Sequence, residues 1–271
     1  MKRAARLLLS LLLGGPAAAV DPQAAQGGQR LNTGAAAGTD SIACASAGAI
    51  RPLAAPLETA PSIDAPQTEA SPARPPATPE PPAADYRQRL RATPLGWPRL
   101  DAWCVQLGAP DPSERRQQAC LAAAAAALRE WSRLLTIQRV EDPQAAQVLL
   151  SCRRPPLERG RDGRSRASRG RALLQVREVQ RDGRWRLEPW VQVLIDPGQR
   201  SEATMATALH ELGHAFGLWG HSDHPGDAMA VQAGPQPVLH PSARDRATLR
   251  WLYSQPSRFG QPLPPRRNGD L

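Results

Sequence analysis

All five histidines of this 271-residue chain, His210, His214, His221, His224 and His240, fall between positions 210 and 240, so any histidine metal site has to be built there. His210-Glu211-Leu212-Gly213-His214 places two imidazoles four residues apart. On a helix that spacing advances about 40° beyond a full turn, so the two rings stack on one face and can grip one ion. Met205, Leu209, Leu212 and Phe216 form a neighbouring apolar stripe, which docks the helix while the histidine stripe faces a cleft. Glu211 then points beside the ion rather than at it. A carboxylate there can take a proton from a water activated by a metal, the general-base arrangement of metal-assisted hydrolysis.

A third ligand requires the chain to reverse. His221 lies eleven residues after His210 and would sit roughly 16 Å along the axis if the helix continued. Gly217 offers a residue of positive φ to end the helix, and Gly220 loosens the turn further. Three histidines leave a fourth tetrahedral position for water or substrate, as a catalytic zinc site needs. His224 and Asp223 are the alternative third ligands within the same loop.

Three helices and five strands would position these residues. The histidine helix is expected from Ser201 to Gly217, with Glu202 at the positive end of its dipole. A long first helix starts at Asp111-Pro112-Ser113-Glu114, with Asp111 capping and Glu114 reaching back. It runs to about Leu134, with Leu121, Ala124, Ala125, Leu128, Trp131 and Leu135 at helical spacing. A third starts at Ser242, with Asp245 as its capping partner and Leu249, Leu252 and Tyr253 on one side. Strands are expected at 101–107, 136–140, 146–152, 172–180 and 190–196, with Asp182-Gly183 as a hairpin turn. This order predicts an α+β domain, a mixed α/β fold with a twisted mixed sheet.

The stretches His210-Glu211-Leu212-Gly213-His214-Ala215-Phe216-Gly217, Gly220-His221-Ser222 and Asp227-Ala228-Met229 resemble the active-site helix, third ligand and Met-turn of the metzincin zinc metallopeptidases. Within that group the chain is similar to matrixin-like enzymes of bacteria. The similarity extends to 242–253, which resembles the closing helix of matrixins, and back to about Trp97. The resemblance implies a zincin-like catalytic domain and an endopeptidase with one catalytic zinc on His210, His214 and His221. It makes Glu211 the general base and Met229 the hydrophobic floor beneath the metal. It also implies that an extended protein or peptide substrate pairs with an edge strand, supplied by 190–196 or by the hairpin before it. Residues 231–239 would wall the pocket beyond the cleaved bond.

The chain departs from the family pattern in several places. The third histidine comes one residue later than usual, with Trp219 as the added residue, a longer form that bacterial relatives share. Ala230 stands where many relatives carry tyrosine, which excludes a tyrosine contribution from that position. No histidine lies between Cys152 and Ser201, so the second, structural zinc of animal matrixins is not expected. Asp162, Asp182 and Asp196 form no recognisable calcium loop. The neighbours of Cys44, Ser41-Ile42-Ala43 and Ala45, lack the arginine, glycine and proline of a thiolate switch.

The remaining features set organisation and partners. Lys2, Arg3 and Arg6, the apolar run Leu7 to Leu13 and Ala17-Ala18-Ala19 make 1–20 an export signal, which directs the protein to a periplasm or out of the cell. Residues 21–85 form a Pro- and Ala-rich linker or pro-segment, 86–258 the peptidase domain and 259–271 a disordered tail. The compartment permits disulfides among Cys44, Cys104, Cys120 and Cys152, for which three connectivities exist. Because Cys44 lies outside the expected domain, a single bond among the other three is favoured over two. The chain carries 34 Lys+Arg against 25 Asp+Glu, a formal +9, and Lys2 is its one lysine. The run Arg153 to Arg171 holds eight arginines but no aromatic residue on which a base could stack, so it reads as a solvated loop. Neither a specific nucleic acid nor a stable membrane partner is expected. Two competing readings are an inactive zinc-binding relative with an adhesive role and an arginine-rich module for nucleic acid or anionic surfaces.

Overall fold

A computed structural model describes residues 44–53, 84–159, 163–232 and 234–264. The export signal and most of the linker reading lie outside the described residues. In chain order the elements are β1 (Ile50–Pro52), β2 (Ala102–Leu107), α1 (Arg115–Ser132), β3 (Thr136–Arg139), β4 (Val148–Ser151), β5 (Glu158–Arg159) and β6 (Ser165–Arg166). There follow β7 (Gly170–Arg181), β8 (Arg184–Ile195), α2 (Ser201–Ala215) and α3 (Ala243–Ser254). Six strands make one mixed sheet in the order β1-β7-β8-β4-β2-β3, and β5 pairs with β6 apart from it.

The centre of the sheet is parallel, with β8, β4, β2 and β3 paired in the same sense. Parallel strands are covered on both faces and read as apolar runs. Val148, Leu150, Val191, Val193 and Ile195 are accordingly buried. β7 returns antiparallel along β8 through Asp182 (φ 50°) and Gly183 (φ 75°), the two-residue turn that an Asp-Gly pair favours. α1 packs along α2, and α2 lies against β7 and β8. Ala124 and Ala127 let the two helices approach, while the Trp131 indole packs edge-on to Phe216 and donates to the Leu209 carbonyl at 2.9 Å.

Several expectations need correction. The first helix starts at Arg115, not at the Asp111 cap, because the Asp111 carboxylate is taken by the backbone and hydroxyl of Ser113 in a preceding turn. The strand expected at 190–196 begins at Arg184 and lies inside the sheet, flanked by β7 and β4. It is therefore not an edge. Two disulfides form, Cys44–Cys104 and Cys120–Cys152, rather than one bond that omits Cys44. The first ties 44–53 to β2, and β1 pairs antiparallel with the outer side of β7.

The segment after 258 is also not a loose tail as far as it is described. Phe259 is buried in the core, and the backbone of Gly260 and Leu263 donates to Leu187 and Trp185 of β8. The proline content around it signalled a tail, whereas one aromatic anchor and two backbone bonds hold it. Phe259→Ala should therefore cost about 3–5 kcal/mol, read as a lowered urea midpoint at unchanged slope. A change below about 0.5 kcal/mol would mean that this segment contributes nothing to the fold.

Candidate metal centre

The helix that carries the site forms because its apolar stripe is buried against tryptophan and phenylalanine rings. Leu209, Leu212 and Phe216 are fully buried, and Phe216 meets Trp103 and Trp131 edge-on. α2 begins after the extended Arg200, with Glu202 in its first turn as expected. It ends at Gly217, whose φ of +103° only glycine adopts without strain. There the Gly217 and Leu218 amides close back onto the carbonyls of His214 and Gly213, at 2.9 and 3.0 Å. The reversal returns His221 to the helix.

His210, His214 and His221 converge, with ring centroids 4.8 to 5.1 Å apart and one nitrogen from each within 4.8 Å of the others. All three are buried. His210 Nδ1 lies 2.8 Å from the Ala228 carbonyl, and His214 Nδ1 lies 2.7 Å from that of Leu218. Each carbonyl can only accept, which puts the proton on Nδ1 and turns the Nε2 lone pair toward the centre. His214 Nε2 and His221 Nε2 are 3.2 Å apart, and His210 Nε2 is buried without a hydrogen-bond partner among the described residues. Burial, reinforced by His221, lowers the pKa of His210 to about 3. Burial likewise lowers His221 to about 4 and His214 well below the usual range. Three neutral nitrogens, one of them an orphan, make a donor set that could hold a metal ion and suits borderline divalent metals.

Glu211 is buried beside this cluster. β7 opens on Gly170, and a Cβ at that position would sit 2.5 Å from Thr207 Cγ2 and 2.7 Å from Glu211 Oε1. The missing side chain is what lets the carboxylate lie against the strand. Gly213 serves similarly on the other side of α2, where a Cβ would collide with the sulfur of the fully buried Met229. Gly220 does not loosen the turn as expected. It allows close approach to the Arg89 backbone, next to the bond from the Arg91 amide to the Trp219 carbonyl. Trp219 itself stacks on His214 at a centroid distance of 5.5 Å.

The loop of the third histidine is held from behind. The Ser222 amide donates to Met229 at 2.7 Å, and the Val231 amide donates to Ser222 at 3.0 Å. Asp227 accepts from the hydroxyls of Ser222 and Ser242 and pairs with Arg244. Asp223 is engaged by Arg89 and Arg244, and His224 is half-exposed with Nδ1 accepting from the Gly226 amide. Neither alternative third ligand enters the cluster. His240 lies elsewhere, on Glu130. Cys44 offers no thiolate, being bonded to Cys104.

A cavity of about 600 Å³ opens beside His210, with Ala228, Ala230, Pro235, Pro237 and Val238 among its walls. Residues of the 231–239 segment thus line a pocket. The edge lies on β7 rather than β8. β1 covers it only at Arg177–Val179, with one further bond from the Leu53 amide to the Val176 carbonyl. Among the described residues the outer side of 170–175 has no strand partner. Sequence reasoning missed Gly170 and the role of Asp245 beneath the site. A glycine directly before an apolar strand was the signal for the first, and the capping box hid the second. The chain matches no protein-family model and no curated protein sequence.

The lowered histidine pKa values carry a pH dependence. Unfolded imidazoles take up protons near pH 6.5, while the folded ones stay neutral to about 4 and below. Below about pH 6.5 the unfolded state therefore binds more protons, and stability falls as pH drops toward 4. Urea midpoints of the metal-free chain should decline from about pH 7.5 to about pH 5, and His221→Gln should flatten that decline. Equal slopes in both proteins would show that the cluster is not the source.

Proposed function

We propose that this chain is an exported zinc-dependent endopeptidase of the matrixin-like metzincin type. The observation that carries the reading is the triangle of buried, neutral imidazoles with a buried carboxylate at its side and an adjoining strand edge that has no strand partner among the described residues. His210, His214 and His221 would hold the metal. Zinc bound there supplies Lewis acidity, which acidifies a water and polarises a peptide carbonyl. Glu211 takes the water proton on its carboxylate and passes it to the nitrogen of the leaving amine. The outer backbone of 170–175 receives an extended peptide as an added strand. The side chain following the cleaved bond then enters the cavity beside His210.

Other observations fit the same reading. Two disulfides accord with an oxidising compartment, and no described helix is long and apolar enough to cross a membrane. The arginine-rich run is partly neutralised, with Arg154 on Asp196 and Arg171 on Glu158, which weakens the case for an anion-binding module.

The test compares the full chain with Glu211→Ala on an unfolded protein substrate, after each is shown to carry one zinc. The native chain should cleave and a chelator should stop it, while the variant should lose about 10²–10⁴-fold in rate. Zinc in both proteins with cleavage by neither would sink the peptidase reading. Gly170→Ala gives a second, steric check. It should displace the Glu211 carboxylate and lower kcat on the order of 10²-fold at unchanged zinc content. An unaffected kcat would mean that the glycine does not position this group.

A further inference from the structure

We infer that the cavity beside His210 selects an acidic side chain on the substrate, and that Arg169 is the residue that selects it. This rests on the peptidase reading and adds to it the chemical class of the preferred substrate.

The ionisable residues lining the cavity are Arg169, Asp227 and the neutral His210. Asp227 is buried and committed to Ser222, Ser242 and Arg244, so it offers no free anion to an incoming group. His210 belongs to the metal triangle. Gln199, a further polar lining residue, is also spent, since its amide donates to the Arg169 and Asp196 carbonyls and its oxygen accepts from Thr207. Arg169 differs from all of these. Its side chain is exposed and, among the described residues, has no hydrogen bond or ion pair.

The placement of Arg169 makes that freedom useful. Its carbonyl is fixed by the Asp196 amide at 2.8 Å and by Gln199 at 3.3 Å, so its backbone is anchored while its guanidinium has no partner among the described residues. It directly precedes Gly170, where the β7 edge begins and Glu211 lies against the strand. A peptide laid along that edge passes Arg169 as it reaches the cavity. The remaining walls near α2, Ala203 and Ala206, are small and carry no charge. A glutamate side chain entering there meets a guanidinium that has no partner among the described residues and, on the cavity wall, only the committed carboxylate of Asp227, while a lysine meets a like charge. Charge at a cleft rim also raises the local concentration of oppositely charged substrate.

The experiment uses the zinc-loaded full chain and four peptides that differ only at the residue after the cleaved bond, which is Glu, Gln, Leu or Lys. Native protein should cleave the Glu peptide about fivefold better than the Lys peptide in kcat/KM, with the difference in KM. Arg169→Gln should reduce that ratio toward one, Arg169→Glu should invert it, and salt should shrink it in each case. In a Glu211→Ala background, equilibrium binding of the intact peptides should follow the same order. Equal cleavage of the Glu and Lys peptides, or a preference that survives Arg169→Glu, overturns this assignment while leaving the peptidase reading intact. Failure to cleave any of the four, Leu included, removes both.

Discussion

The carboxylate of Asp245 has no solvent exposure, and the geometry of the histidine cluster is built out from it. A buried charge is tolerable only when its lone pairs are filled. Here the Tyr86 hydroxyl and the backbone amides of Ala228, Met229 and Ser242 all donate to it. Two of those amides belong to the segment whose Ala228 carbonyl faces His210 Nδ1 and whose Met229 sulfur lies under Gly213. The same carboxylate completes the capping box of α3 through Ser242. One side chain thus starts the last helix, clamps the turn below the histidines and, through Tyr86, anchors the segment that leads into β2. Thr248 of the same helix adds a bond from the Tyr86 amide at 3.0 Å.

Resting on that clamp, the centre concentrates groups that do not stabilise one another. Three buried imidazoles bring a ring nitrogen each to a shared point, and His210 Nε2 has no protein partner among the described residues. The cost is carried by the surrounding packing, in which Leu209, Leu212, Phe216, Trp131 and Met229 are fully buried. Close approach matters more here than flexibility. Gly170, Gly213 and Gly220 each occupy a place where a Cβ would collide with a neighbour, and only Gly217 among these four is required by its backbone conformation.

What could be read in advance was local. The α2 helix, its end at Gly217 and the Ser242–Asp245 capping box follow from contacts within a few residues, and each formed as the periodicity and caps implied. The failures share a different origin. Of the two edges expected, 190–196 and the hairpin before it, only the second holds; neighbours in a sheet are set by tertiary packing, and β4 lies beside 190–196 despite being about forty residues away. Cys44, β1 and Phe259 sit among alanines and prolines with no periodicity, so their attachments to β2, β7 and the core left no pattern to find. Asp111 failed as a cap for a local reason, since Ser113 competed for the same carboxylate. Short polar side chains have several nearby backbone partners, and spacing alone does not rank them.

The edge of β7 joins the fold to the proposed chemistry, because a backbone group on an edge can be paired only once. β1 takes Arg177–Val179 and ends on Pro52, with the Leu53 amide reaching the Val176 carbonyl. Outward-facing groups alternate along an antiparallel strand, so the next ones toward the metal centre belong to Leu174, Ala172 and Gly170. A peptide added there runs in line with β1, with the disulfide-anchored segment at one end and the Glu211 carboxylate at the other. The length of β7 left open thereby bounds how many substrate residues can be held as a strand on that side of the cleaved bond. In the same proposed chemistry the cavity wall at Gln232 and 234–238 would act on the other side, through side-chain chemistry rather than backbone pairing. In the proposed chemistry the extent of binding would follow from the length of β7 left open beside the segment fixed by Cys44–Cys104, and the choice of residue from the cavity, whose walls include both Arg169 and the chain that follows the turn held on Asp245.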